Sequence, residues 1–438
     1  MIMDFLNRLF KLEENGTSVR QEILAGLTTF VTMAYVIFVG PSMLSEAGLP
    51  REAVFFATII ASGLTTLLMG FWANMPIALA PGMGIMAYFT YTVVLGMKVP
   101  WPTALGAVFI SGCVFLLLSV TKIRSMIIDS VPHNLKLSIS VGIGMFIAFI
   151  GLRSAGIVVN DPANSVALGH IAEPKVLLAL FSLVFTGILL ALHVKGAILI
   201  GIVVTTALGM LVGAGPVPHG FSDVVSFSMP DIAPLFLKLD IMAAIQYGIV
   251  TVLFTMTMVD LFDSIGTVIG VSRKAGLVRE DGSIRGLDKA LITDSCGTLL
   301  GSVLETPAVT SYVESSSGVA EGGRTGLTAV TTGLLFLLCL ALAPIVGVVQ
   351  SYATAPALII VGAIMAEDMT TIDFKDMTEG LPAFLTMISM PLTYSIATGF
   401  GMGFISYVVL KALTGRAREV KPIMWIVAVC FAISFVMR

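Results

Sequence analysis

From Glu22 to Arg438 the chain repeats one pattern, an apolar run followed by a short polar break. A run of about 20 such residues, wound as a helix, crosses roughly 30 Å of hydrocarbon. Backbone in lipid must satisfy its own hydrogen bonds, so a chain of this kind folds as packed membrane helices. The composition agrees: 57% of the 438 residues are hydrophobic and 12% are charged, where a soluble domain carries about a quarter charged. Mean hydropathy is +1.00. The 43 glycines suit helices that pack backbone against backbone.

Several function classes fall away. The formal charge of −3 offers no broad basic face for nucleic acid. The histidines lie apart, without metal-ligand spacing. Cys113, Cys296, Cys339 and Cys430 stand singly in apolar segments and are expected as inert core thiols. The first 22 residues are too charged for a cleavable signal peptide. They are expected as a surface segment with Phe5, Leu6, Leu9 and Phe10 on its apolar side.

Helical spans are expected near 22–44, 53–73, 80–97, 103–121, 134–153, 175–193 and 196–213, then 242–271, 287–303, 309–320, 327–349, 354–367, 381–411 and 422–437. That is seven plus seven. The long breaks at 154–174 and 214–240 are rich in Pro, Gly, Asn and Asp, as loops are. Cytoplasmic loops gather Lys and Arg. On that rule the head (Arg8, Lys11, Arg20), the loop around Lys122 and Arg124, and "SRKAGLVREDGSIRGLDKA" share the cytoplasmic side. "KALTGRAREVKP" is basic yet lands outside by parity, unless 381–411, interrupted near Pro391 and Tyr394, crosses twice.

An odd number of spans per half gives two halves of opposite orientation, 1–230 and 231–438, the inverted-repeat plan of many transporters. "TFVTMAYVIF" opens the first half and "LFTMTMVDLF" the second. Downstream each half reaches a short interrupted segment, "ALAPGMGIMAYF" and "LETPAVTSYVES", broken at Pro81 and Pro307. Paired interruptions of this kind mark a mid-membrane binding site, because freed backbone groups are tolerated only around a protein-enclosed cavity.

Three acids lie near those interruptions. A carboxylate at mid-membrane depth costs roughly 2.5 to 3.5 kcal/mol on insertion scales, so it persists where a partner or a function offsets it. Asp260 and Asp263, three residues apart, share a helix face, and Glu314 follows the second interruption. Buried carboxyls of this kind are suited to carrying a proton, and one charge crossing the membrane is worth roughly 2.3 kcal/mol per 100 mV. Asp263 has a second, structural reading as a brace for Ser264, Thr267 or a neighbouring helix. Glu280, Asp281, Asp288, Asp368, Asp373, Asp376 and Glu379 read as loop acids, and Arg324 as a partner for a helix end or a lipid phosphate. An enzyme would need a nucleophile beside its base, and the two aspartates do not supply one.

"KLEENGTSVRQEILAGLTTFVTMAYVIFV", "APGMGIMAYF", "VDLFDSIGTVIG", "TSYVESSSGVAEGGRTGLTAV" and "YATAPALIIVGAIM" together resemble the hypoxanthine/guanine/adenine permeases, the AzgA-like branch of the nucleobase-ascorbate transporter family. The resemblance runs along nearly the whole chain. It implies an all-α polytopic membrane protein of fourteen transmembrane segments in two inverted seven-span repeats. Spans 1–4 and 8–11 would form a core domain and spans 5–7 and 12–14 a gate domain, with spans 3 and 10 half strand and half helix.

The implied activity is proton-coupled uptake of a purine base across a bacterial-type cytoplasmic membrane by alternating access. The N-terminus would be cytoplasmic, homodimers are common, and the proton replaces any cofactor. By motif Glu314 and Asp260 are the substrate-binding or coupling acids, Asp263 supports them, and the backbone at Tyr312 frames the base. Gly84, Met86, Ala87, Phe89 and Phe262 would line the same pocket. A carboxylate suits the N–H edge of a heterocycle and an aromatic ring suits its face.

Two positions depart from the pattern: Met86 stands where relatives that take hypoxanthine and guanine often read Asn, and Thr398 where Asn is also frequent. The expectation is therefore a purine, with adenine, guanine and hypoxanthine all open. Another nucleobase-like heterocycle, or an anion carrier of the sulfate-permease type, is the alternative; two central acids would repel an anion.

Overall fold

A computed structural model of the chain describes residues 2–121, 130–218, 220, 237–246, 250–279 and 283–436. The expectations placed on Lys122, Arg124, Glu280 and Asp281 lie outside them. Among the described residues, nine helices are long and apolar enough to cross a membrane and three shorter apolar helices accompany them.

The first half opens with α1 (Ile2–Phe10), whose Phe10 is buried against Leu12, Leu327 and Val330 while Phe5 and Leu9 stay exposed. The first span, Val19–Glu46, is one apolar run with a turn inside it. It divides into α2 (Val19–Met33) and α3 (Val36–Glu46), with Ala34 and Tyr35 between them. Next come α4 (Arg51–Leu68), β1 (Leu79–Pro81), α5 (Met83–Ala87), α6 (Trp101–Val120) and α7 (His133–Ser154). The break at 154–174, expected as a loop, carries a hairpin of β2 (Val158–Asp161) and β3 (Ser165–Leu168). Its turn is closed by the Asp161 carboxylate, which accepts from the amides of Ala163 and Asn164. Helices α8 (Pro174–Ala191) and α9 (Ala197–Leu211) complete the half.

The second half comprises α10 (Ile241–Gln246), α11 (Val250–Lys274), α12 (Leu287–Val303), β4 (Val309–Ser311), α13 (Ser315–Ala320), α14 (Gly326–Leu338), α15 (Ser351–Met365), α16 (Met377–Thr393), α17 (Ile396–Leu413) and α18 (Pro422–Val436). The stretch 381–411 is thus two helices. Tyr394 adopts a left-handed backbone (φ 53°) and the Ser395 side chain caps α17 by accepting from the Thr398 amide. The seven-plus-seven count therefore closes on α17, and α18, expected as the fourteenth span, packs on α17 outside it.

The two extra ends also settle which loops share a face. Arg416, in the basic loop after α17, pairs with Asp376 before α16 at 2.6 Å, and Lys411 pairs with Glu379 and Glu419 at 2.9 and 2.8 Å. Asp376 and Glu379 are thus ion-paired, not merely solvated. On the same face as the head, Lys195 pairs with Glu321 and Arg285 donates to Asn15. The parity conflict of "KALTGRAREVKP" is removed.

Packing repeats with the halves exchanged: α4 lies on α14 as α12 lies on α6, α8 pairs with α9 as α16 pairs with α17, and α7 meets α15 between them. Small residues permit the central approach. A Cβ at Gly144 would lie 2.9 Å from the Gly362 carbonyl, and one at Gly362 would lie 2.3 Å from that of Gly144, so any larger residue would push α7 and α15 apart. The thiols of Cys113 and Cys430 do not lie in the core; both residues are exposed on outward helix faces. Arg324 does hold a helix end, donating to the carbonyls of Val319 and Gly323.

Candidate functional site

Three interrupted segments meet inside the protein. Strands β1 and β4 pair antiparallel, Leu79 opposite Ser311 and Pro81 opposite Val309, and all six residues are buried. Proline has no N–H to give a ladder, and here Pro81 ends its strand. Past it the Gly82 amide donates to the Ala308 carbonyl at 3.0 Å. Backbone groups that no helix satisfies are taken up by side chains from neighbouring elements. Thr66 of α4 both accepts from the Leu79 amide and donates to its carbonyl, and Ser315 accepts from the Ala78 amide. Tyr312 reaches across to the first half, its amide donating to Ala78 and its hydroxyl to the Pro81 carbonyl at 2.6 Å.

Around this crossing stand three acids. The Tyr35 hydroxyl, at the interruption between α2 and α3, donates to Oε1 of Glu314 at 2.6 Å. Asp263 of α11 faces Thr310 of β4 and lies within electrostatic reach of Glu314. A Cβ at Gly82 would sit 2.7 Å from the Thr310 hydroxyl and 3.5 Å from an Asp263 carboxylate oxygen; only glycine leaves that corner open. The third acid, Asp294 of α12, is fully buried and accepts from both the amide and the hydroxyl of Ser311, at 2.9 and 3.1 Å. It fastens β4 to α12.

Asp260 and Asp263 have different partners although they share a helix. Asp260 is 1% exposed and accepts from Ser264 at 3.3 Å and from Thr298 of α12 at 3.0 Å. Asp260 thus braces α11 against α12, while Asp263 faces Thr310 and lies within electrostatic reach of Asp294 and Glu314. Among the other expected lining residues, Met86 is buried with its sulfur toward Gly40 of α3, and Gly84 packs against Ile143 of α7. Ala87 and Phe89 are fully buried in the apolar core. Phe262 stacks on Phe400 at 6.0 Å between centroids, the start of a row continuing through Phe404 and Phe431.

Two site residues escaped the sequence reading. Tyr35 lies in "TFVTMAYVIF", and aligning the two halves puts it one position from the place that carries Asp260. A polar residue at equal depth in the sister half was the available signal. Asp294 stood alone in "LITDSCGTLLG", a lone acid in an apolar run being reason enough to inspect it.

Comparison with known proteins bears on this geometry. The model of the Permease family (Xan_ur_permease) matches residues 20–402. The chain is 51% identical to a protein of Methanocaldococcus jannaschii named as a permease, over 100% of this chain and 99% of that one. It is 42% identical to adenine permease AdeP of Escherichia coli, over 98% and 96% of the two chains. Against guanine/hypoxanthine permease PbuO of Bacillus subtilis it is 43% identical over 97% and 99%. Among solved structures, the transmembrane domain of a cyanobacterial bicarbonate transporter, BicA, superposes with a TM-score of 0.66 at 14% identity, over 86% of this chain and 96% of that one. At that identity the likeness speaks for the fold alone, two inverted seven-span repeats.

Proposed function

The chain belongs to the Permease family of nucleobase transporters, in the branch of the adenine and guanine/hypoxanthine permeases, and from that premise we propose that it carries a purine base across the membrane together with protons, by alternating access. The observation that carries the reading is the crossing of two interrupted segments, one from each half, with Glu314 held by Tyr35 beside it and Asp263 within electrostatic reach. A purine is flat, with a donor and acceptor edge. Carboxylate oxygens accept its N–H groups, and a ligand lacking that edge leaves a partly buried acid unpaired, which is costly.

Glu314 is the acid proposed to touch the base and to exchange the proton, with Asp263 beside it. Asp260 is proposed to hold α11 to α12. The crossing strands belong to the proposed core domain, whose movement against the helices α7 to α9 and α15 to α17 would expose the site to each side in turn. The loops that share a face with the head carry the basic residues, which supports a cytoplasmic N-terminus in a bacterial-type inner membrane. Relatives named for adenine and for guanine and hypoxanthine are nearly equally similar, and Met86 packs into the core, so the choice among the three bases stays open. The anion-carrier alternative draws on fold likeness only, and acids clustered at the crossing disfavour an anion.

The test is uptake of radiolabelled purine by proteoliposomes, with and without an inward-acidifying pH gradient, challenged with adenine, guanine, hypoxanthine and uracil. Saturable uptake competed by at least one purine and driven by the gradient is expected. Uptake of no base, or accumulation indifferent to pH, overturns the reading.

A further inference from the structure

We propose that Tyr35 is a positioning residue: its hydroxyl fixes the carboxylate of Glu314 in the orientation from which that acid meets the base. The inference rests on the proposed role of Glu314 and adds the part that makes it selective. Tyr35 is supplied by neither of the two segments that the prolines interrupt. It sits at a third break, where the first span leaves α2 before resuming as α3, and it is 1% exposed.

Its ring is buried in the main apolar core. A tyrosine has two rotatable side-chain bonds, so packing the ring fixes the hydroxyl. A glutamate has three and loses up to about 2 kcal/mol of rotamer entropy when it is ordered. The 2.6 Å bond from the tyrosine hydroxyl to Oε1 therefore runs from a rigid donor to an otherwise adaptable acceptor. Glu314 stands immediately before the short α13, and its side chain makes no capping bond to that helix. With Oε1 tethered, the plane of the carboxylate is set before the base arrives, and the N–H groups of the base must approach in that plane. Prior ordering of this kind raises affinity by removing the cost of ordering on binding, and it rejects ligands whose donors lie elsewhere.

Tyr312 provides the internal comparison. It is buried in the same place, but its hydroxyl donates to a backbone carbonyl, that of Pro81, and so shapes the strand crossing and not the acid.

The experiment measures equilibrium binding of radiolabelled adenine, guanine and hypoxanthine to purified protein in four forms: wild type, Tyr35→Phe, Glu314→Asp and the double variant. Phenylalanine keeps the packed ring and deletes the donor. Aspartate keeps the charge and withdraws it by about 1.5 Å, one C–C bond, out of the hydroxyl's reach. Tyr35→Phe is expected to weaken the best-bound base about 10- to 100-fold, the worth of a hydrogen bond to a charged group, and to narrow the spread among the three bases. In the Glu314→Asp background the same change is expected to cost less than threefold, because the pair is already broken. Equal losses in both backgrounds, or no loss in either, overturn the proposal while purine binding by the wild type keeps the functional reading intact. A wild type that binds none of the three bases defeats that reading first. Should Tyr35→Phe not purify as a monodisperse protein, Glu314→Asp decides alone: it must weaken binding at least tenfold, and wild-type affinity in that variant refutes the tether.

Discussion

Glu22 supplies a prediction that needs no assumption about ligand. It is fully buried at the start of α2, and its two carboxylate oxygens accept from the amides of Arg324, Thr325 and Thr328 at 2.8, 3.3 and 3.1 Å and from the Thr328 hydroxyl at 2.6 Å. These donors open α14, so an acid from the first half caps a helix of the second, with its charge at the positive end of that helix. Glu22→Ala leaves three amides of a buried helix start without their acceptor. Each orphaned group costs about 1 to 3 kcal/mol before water or relaxation recovers part of it. The Thr325 side chain still caps the Leu327 amide, so the net loss is set at about 3 to 5 kcal/mol, the usual result of breaking a buried charged network. Glu22→Gln keeps one acceptor oxygen and is expected to lose about half as much. The assay is SDS-induced unfolding in mixed micelles, read as the change in unfolding free energy. A Glu22→Ala protein within about 0.5 kcal/mol of wild type, the scatter of ordinary surface changes, would refute the capping argument.

Three further outcomes follow from the geometry. Asp263→Asn is expected to reduce purine uptake at least tenfold with little change in thermal stability, whereas Asp260→Asn lowers the melting midpoint and leaves measurable uptake; paired uptake and melting assays separate them, and the reverse pattern contradicts the assigned roles. Gly82→Ala forces Thr310 away from its 2.7 Å approach and is expected to raise the uptake KM while the protein still inserts; an unchanged KM refutes the open-corner argument. In the loops beyond α17 and before α16, Arg416 and then Lys411 hold the Glu419 carboxyl down to about 2, and Arg416 holds Asp376 below its ordinary value. A depressed folded-state value means that this contribution is complete above about pH 4.5 and fades as the pH falls toward about 2. The stability gap between wild type and Arg416→Gln, measured by thermal melts, should close over that window, and a gap constant with pH rules the pairing out as a contributor.

Much of the architecture was legible because lipid leaves a chain few choices. Apolar period and loop composition located α12 at 287–303 as read, and the prolines at 81 and 307 marked both interruptions. Two helix breaks were less legible. The split of 381–411 was one of two readings left open, and it falls at Tyr394 and the Ser395 cap, while the turn at Ala34 and Tyr35 inside the first span carries no glycine or proline to mark it. The site was half visible. Residue type announced the buried acids, but spacing cannot say which oxygen finds a hydroxyl. Asp260 and Asp263 lie on one helix face, and their different neighbours, Thr298 for one and Thr310 for the other, are set by tertiary packing. Met86 and Phe89, placed at the pocket by motif, are fully buried.

The most direct test of the central claim is a structure of the protein determined with the purine that binds best. Density for the planar base is expected between Glu314 and Asp263, against the paired strands β1 and β4 and beneath the Tyr35 hydroxyl, with N–H to carboxylate distances near 2.8 Å. A base seated elsewhere, with Glu314 still bonded only to Tyr35, would contradict the account.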